Sequence, residues 1–104
     1  MRPPIDGGIV LLTGASSGIG RAMAVVLAPR AKVLILVARR KERLEELRAE
    51  LEAINSSLVV DLWCCDLTEE GVVPRLIDGC IQNHGQVDVL INNAGFGDLG
   101  VFHQ

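Results

Sequence analysis

The apolar positions of this chain follow two rhythms that alternate along its length. Ile9–Thr13 ("IVLLT") and Lys32–Ala38 ("KVLILVA") are nearly unbroken apolar runs, which predicts strands covered on both faces. Between them, Ile19–Leu27 predicts a helix. From Lys41 to Ile54 the residues Leu44, Leu47, Leu51 and Ile54 recur at three- and four-residue steps among Glu and Arg. That spacing predicts an amphipathic helix with its charged face in solvent. Leu58–Cys65 is a third predicted strand, with Thr68 as a cap for the succeeding element. Pro74 tolerates only a first helical turn, so the third helix is expected from about Val73 to His84. Val87–Asn92 ("VDVLIN") is the fourth strand. The order βαβαβαβ implies a parallel sheet joined by right-handed crossovers, an α/β fold without repeat, low-complexity tract or linker.

Composition narrows this picture without changing it. The chain has 104 residues, 49% of them hydrophobic and 22% charged, with a mean hydropathy of +0.35. This is the balance of one small globular domain over residues 1–104. A formal net charge of -3 supplies no basic field, which argues against a nucleic-acid partner. The start "MRPPIDGG" lacks the charged and apolar regions of a signal peptide, and no apolar run reaches membrane-spanning length. A soluble, cytoplasmic protein with no membrane partner is expected. Cys64, Cys65 and Cys80 lack metal-ligand spacing and fall in segments expected to be buried, so they read as small core residues. His84 and His103 have no second ligand nearby in sequence, and no metal is expected.

The chemistry concentrates where the first strand gives way to the first helix, at "TGASSGIG", Thr13–Gly20. A glycine-rich loop leaving a parallel strand and opening a helix brings backbone N–H groups to a phosphate, aided by the positive end of the helix dipole. The spacing G-x-x-x-G-x-G differs from the P-loop, which also requires a Lys followed by Ser or Thr; Arg21 and Ala22 stand there instead. A second glycine-rich turn, "NNAG" at Asn92–Gly95, comes after the fourth strand.

These two motifs together resemble the classical short-chain dehydrogenase/reductase family, over about Ile9 to Phe102. The resemblance implies a Rossmann-like three-layer αβα fold with strand order 3-2-1-4, a bound NAD or NADP, and hydride transfer to or from a carbonyl or alcohol. The cofactor-binding set it implies is Thr13, Gly14, Ser16, Ser17, Gly18, Ile19, Gly20, Arg39, Asp66, Leu67, Asn92, Ala94 and Gly95. Within it the three loop glycines and Ile19 shape the pyrophosphate loop, and Asn92 steadies the central sheet. Asp66 has two readings: a place beside the adenine ring, which the resemblance favours, or a cap at the start of the third helix shared with Thr68.

The end of the second strand selects between the two dinucleotides. A carboxylate there would bond the ribose hydroxyls of NAD and repel the 2′-phosphate of NADP. This chain has Ala38, Arg39 and Arg40, which points to NADP rather than NAD. Ser17 is a further candidate contact to that phosphate. In the other reading the two arginines simply begin a charged helix, and of the two Arg40 is the bystander.

The family's chemistry uses a tyrosine, a lysine four residues after it and a serine. This chain contains no tyrosine, and Ser16, Ser17, Ser56 and Ser57 do not match the catalytic serine. No catalytic residue is therefore assigned. The expectation is a truncated, N-terminal cofactor-binding half of an NADP(H)-dependent oxidoreductase, inactive alone, which would meet a small carbonyl or alcohol substrate only with its other half. A nonenzymatic NADP-binding regulatory module is the alternative, and a chain that folds poorly is a third. The fourth strand is expected to leave an open edge suited to self-association. Phe96, Leu99 and Phe102 read equally as a substrate-pocket wall or as ordinary core. Pro29 in "LAPRAKV" and Pro74 and Gly79 in the third helix are local departures expected to weaken packing.

Overall fold

The computed structural model describes residues 3–93. Seven elements occur in the order β1 (Ile9–Thr13), α1 (Gly18–Leu27), β2 (Val33–Ala38), α2 (Lys41–Ile54), β3 (Val59–Cys64), α3 (Val72–His84) and β4 (Val89–Asn92). All strand pairs are parallel and the sheet order is β3-β2-β1-β4. The expected order 3-2-1-4 and the Rossmann-like αβα layering are thus present.

The unbroken apolar runs have a direct cause in the layering. Every residue of β1 and β2 is buried. Val10, Leu12, Leu34, Leu36 and Ala38 pack with Ala24 and Leu27 of α1 and Leu44, Leu47 and Leu51 of α2. Ile9, Leu11, Val33, Ile35 and Val37 face the other way, against Leu76 and Cys80 of α3. A strand sandwiched between helices has no polar face, and its sequence loses the alternation of a half-exposed one. The apolar stripe of α2 predicted from its spacing is the stripe it buries, except that Ile54 ends the helix 46% exposed.

Two expectations about α3 are corrected. Thr68 does not cap it: the cap residue is Gly71, in the left-handed region at φ 81°, and Thr68 instead donates to Asp66. Gly79 is not a weakness, because a methyl group there would overlap Cη2 of Trp63 and sit 2.8 Å from its Cζ2. The glycine admits the indole of β3 against the helix. Pro74 falls in the first turn, where its missing N–H has no helical acceptor to lose. At Pro29 the chain has already left α1, which is capped at Ala28.

β3 is an edge strand with a polar inclusion. Asp61 Oδ2 accepts from Trp63 Nε1 at 3.2 Å and lies 2.8 Å from His84 Nε2 at the end of α3. A carboxylate in a half-buried strand is costly unless hydrogen-bonded, and these two partners satisfy it. β4 is fixed to β1 at both ends. Asp88 accepts from the Ile9 N–H at 2.8 Å, and Thr13 Oγ1 donates to Asn92 Oδ1 at 3.1 Å.

Candidate functional site

In a parallel sheet of this order the chain doubles back between β1 and β4, which leaves a crevice outside the carboxyl ends of the strands. A cleft of about 400 Å³ lies there. It is lined from the end of β1 by Gly14, Ser16 and Ser17, and from the end of β2 by Val37, Ala38, Arg39, Arg40 and Arg43. Cys65, Asp66, Leu67 and Thr68 line it from the end of β3, and Asn93 from the end of β4. Six of the residues expected from the sequence therefore share one cavity: Gly14, Ser16, Ser17, Arg39, Asp66 and Leu67.

The loop between β1 and α1 is held by its own hydrogen bonds. Gly14 turns it in the left-handed region at φ 65°. Ser17 caps α1: its hydroxyl accepts from the Gly20 N–H at 3.1 Å and from Asn93 Nδ2 at 3.0 Å, and donates to the Gly14 carbonyl at 2.9 Å. Asn93 Nδ2 also donates to the Gly14 carbonyl at 3.2 Å. The hydroxyl of Ser17 is thus fully committed to the loop. A methyl group at Gly20 would overlap the Gly14 carbonyl oxygen, so this glycine lets the helix start press against the loop. Gly18 differs, since nothing lies within 4 Å of where its Cβ would be.

With Gly20 and Arg21 bonded to Ser17, the N–H groups of Gly18 and Ile19 have no acceptor among the described residues. Two free donors at the positive end of a helix dipole form the kind of position that accepts a phosphate oxygen. Gly18 and Ile19 border a second, apolar groove with Met23, Val26 and Ile91 rather than the polar cleft, and the Ile19 side chain is 71% exposed. Thr13 and Asn92 line neither cavity. Thr13 is fully buried, accepts from the Asn93 N–H at 3.0 Å, and with Asn92 ties β4 to β1. Ala94 and Gly95, like Phe96, Leu99, Phe102 and His103, lie outside the described residues.

The charge in the cleft is one-sided. Arg39, Arg40 and Arg43 line it, and no carboxylate among the described residues lies within salt-bridge distance of them. The one acidic lining residue is Asp66. Its Oδ1 accepts from both the N–H and the hydroxyl of Thr68, at 2.9 and 2.6 Å. Those bonds, with a smaller contribution from Arg39, hold its carboxyl below the usual range. The local turn this makes precedes α3 and does not cap it, and it leaves Oδ2 without a partner among the described residues.

Sequence reasoning missed Asn93, Thr68 and Arg43 as lining residues. Asn93 is the second of a twin pair whose first member carries the motif. Arg43 is exposed, as the amphipathic pattern of α2 implies, and the part of that exposed face in the first turn also borders the cleft. Arg40, the cap residue of α2, borders the cleft as well.

Comparisons with known proteins agree with this geometry. The sequence profile described as short chain dehydrogenase matches residues 8–104. The NADP-dependent 3-hydroxy acid dehydrogenase of Schizosaccharomyces pombe is 44% identical over 92 residues, covering 88% of this chain and 35% of that protein. The 11-beta-hydroxysteroid dehydrogenase 1A of Arabidopsis thaliana is 41% identical over 96 residues, covering 92% of this chain and 27% of its own length. Among solved structures, a metagenomic short-chain oxidoreductase in complex with NADP superposes with a TM-score of 0.80 at 34% identity, over 91% of this chain and 42% of that one. An NAD+-bound xylitol dehydrogenase gives a TM-score of 0.78 at 29% identity, over 90% of this chain and 35% of that one. The chain therefore spans well under half the length of these relatives. By its sequence and by the sheet order that frames its cleft, the chain belongs to the short chain dehydrogenase family.

Proposed function

We propose that residues 1–104 form the dinucleotide-binding portion of an NADP(H)-dependent oxidoreductase acting on a carbonyl or alcohol. The observation that carries this reading is the end of β2, where Ala38 leads into Arg39, Arg40 and Arg43 on the cleft wall with no carboxylate within ion-pair distance among the described residues. Guanidinium groups make charge-assisted bonds to a phosphate, each contributing on the order of 1.5 to 3 kcal/mol. The same place would need an acid to hold the two ribose hydroxyls of NAD.

The residues present fit the group. The free N–H pair of Gly18 and Ile19 would take pyrophosphate oxygens, and the open space at Gly18 leaves room for them. Arg39 would hold the 2′-phosphate, and Asp66 and Leu67 would border the adenine. The bound nicotinamide would supply hydride donor and acceptor chemistry. The chain itself contains no tyrosine, and its role in this reading is to hold and orient the dinucleotide, with no proton transfer assigned to it. The fourth strand has β1 as its one neighbour among the described residues, which supports self-association through its free edge.

Calorimetric titration of the 104-residue chain with NADPH and, separately, NADH tests the reading. NADPH should bind more tightly, and Arg39→Asp should remove about tenfold or more of NADPH affinity while changing NADH little. Equal loss of both would reject the assignment of Arg39. Repeating the titration at several chain concentrations reads self-association, and a monomer throughout would reject that part.

A further inference from the structure

We propose that the outer side of α1 is a docking surface for a second copy of this chain, whose own α1 fills the groove beside it in a reciprocal, two-fold dimer. The surface lies apart from the polar cleft and owes nothing to the nucleotide-binding reading. α1 carries two apolar stripes. Gly20, Ala24 and Leu27 are its buried residues, and the last two pack on the strands. Ile19, Ala22, Met23 and Val26, at i, i+3, i+4 and i+7, form a second stripe on another side of the helix. Ile19 is 71% and Val26 65% exposed. A helix apolar on more than one side is characteristic of one covered on more than one side.

The second stripe is also one wall of a groove of about 430 Å³, whose other wall is Ile91 of β4. Ile54 and Val59, also exposed, stand outside it, and single exposed apolar side chains call for no partner. Charge identifies the occupant. Among the described residues no charged side chain lines the groove, and Arg21, the one charged residue of α1, is ion-paired with Glu50 of α2. A nucleic acid or a charged peptide would find nothing there to pair with, whereas an uncharged apolar helix would leave no charge buried alone. The chain itself displays such a helix beside such a groove. In a two-fold contact the stripe of each copy enters the groove of the other, so one patch serves on both sides. Each copy then has both its stripe and its groove filled, and the contact closes at two copies instead of growing into a filament. Pairing along the free edge of β4 is a different contact, made by backbone groups and not by α1.

Sedimentation velocity of the 104-residue chain over a range of concentrations tests the proposal, alongside Val26→Glu, Ala22→Glu, Ile54→Glu and Leu90→Lys, each checked for an unaltered circular dichroism spectrum. Val26 and Ala22 are exposed in the single chain, so a carboxylate there leaves its core intact and is desolvated only in the dimer. Ile54 is an exposed apolar residue outside the groove, and a lysine at Leu90 of β4 opposes pairing along that edge. The wild type should show a monomer–dimer equilibrium with no larger species. Val26→Glu and Ala22→Glu should each raise the dimer dissociation constant about tenfold or more, with Ile54→Glu and Leu90→Lys within about twofold of wild type. A chain monomeric throughout, an assembly that grows beyond two copies, or a dimer that survives both α1 substitutions overturns the proposal. Loss of the dimer in Leu90→Lys alone overturns it in favour of the β4 edge. Titration of the same variants with NADPH reads the cleft separately, so a failure of nucleotide binding and a failure of this contact are told apart.

Discussion

A methyl group added at Gly20 would overlap the Gly14 carbonyl oxygen and lie 2.7 Å from Asn93 Nδ2, whereas one added at Gly18 would meet nothing within 4 Å. Two glycines one residue apart thus answer to different demands, one set by the protein's own backbone and the other by space left open. Gly20→Ala is expected to destabilise the ligand-free chain by about 1–3 kcal/mol, since backbone and not a flexible side chain must yield. Gly18→Ala should leave ligand-free stability within about 0.5 kcal/mol and weaken NADPH binding. Urea denaturation and titration of the two variants separate these outcomes; a Gly18→Ala chain that binds NADPH normally would show that no phosphate approaches there. The motif gave both positions as glycine and could not tell them apart. The distinction depends on Asn93 and on the folded path of the loop, which lie 73 residues and one sheet crossing away from Gly20.

At the scale of elements, α3 against β3 is where tertiary packing reverses a local rule. A glycine inside a helix ordinarily costs roughly 0.5–1 kcal/mol relative to alanine. Gly79→Ala should nevertheless destabilise, by about 1–3 kcal/mol, because the added methyl enters the volume of the Trp63 ring. Thermal unfolding should show this loss, and Trp63→Leu should reduce the cost of the substitution; an alanine variant more stable than wild type would refute the packing account. The strands β1 and β2 and the helix α2 were legible because burial on two faces, or along one stripe, writes itself into spacing. The partners of Asp61, the function of Gly79 and the position of Arg43 were not, because each is defined by a residue from another element. Arg43 is the instructive case: amphipathic spacing identifies the buried stripe of α2 and says nothing about what the polar face meets.

The whole molecule adds a dependence on alkaline pH. Cys80 is fully buried among Leu11, Ile35 and Leu76, and burial, with Asp61 and Cys65 nearby, pushes its thiol from 9.0 up to about 11. Burial is also the leading cause that raises Cys65. The fold therefore holds these protons more tightly than the unfolded chain does. Their contribution is complete below about pH 9 and is lost as pH rises from there toward 11, on the order of 2 kcal/mol for Cys80. Urea midpoints should fall across that range, and midpoints constant above pH 9 would contradict the assignment. The bonds between Asn93 and the loop from β1 to α1 also tie the start of the chain to its fourth strand. Ser17 receives a hydrogen bond from a residue 76 positions later, and Thr13 meets Asn92 across 79. Contacts this distant carry a larger loop-closure cost than the nearer β1–β2 and β2–β3 pairs. The loop that comes first in the sequence is consequently held in its final shape by a residue that follows the fourth strand, so its geometry depends on the pairing of β4 with β1.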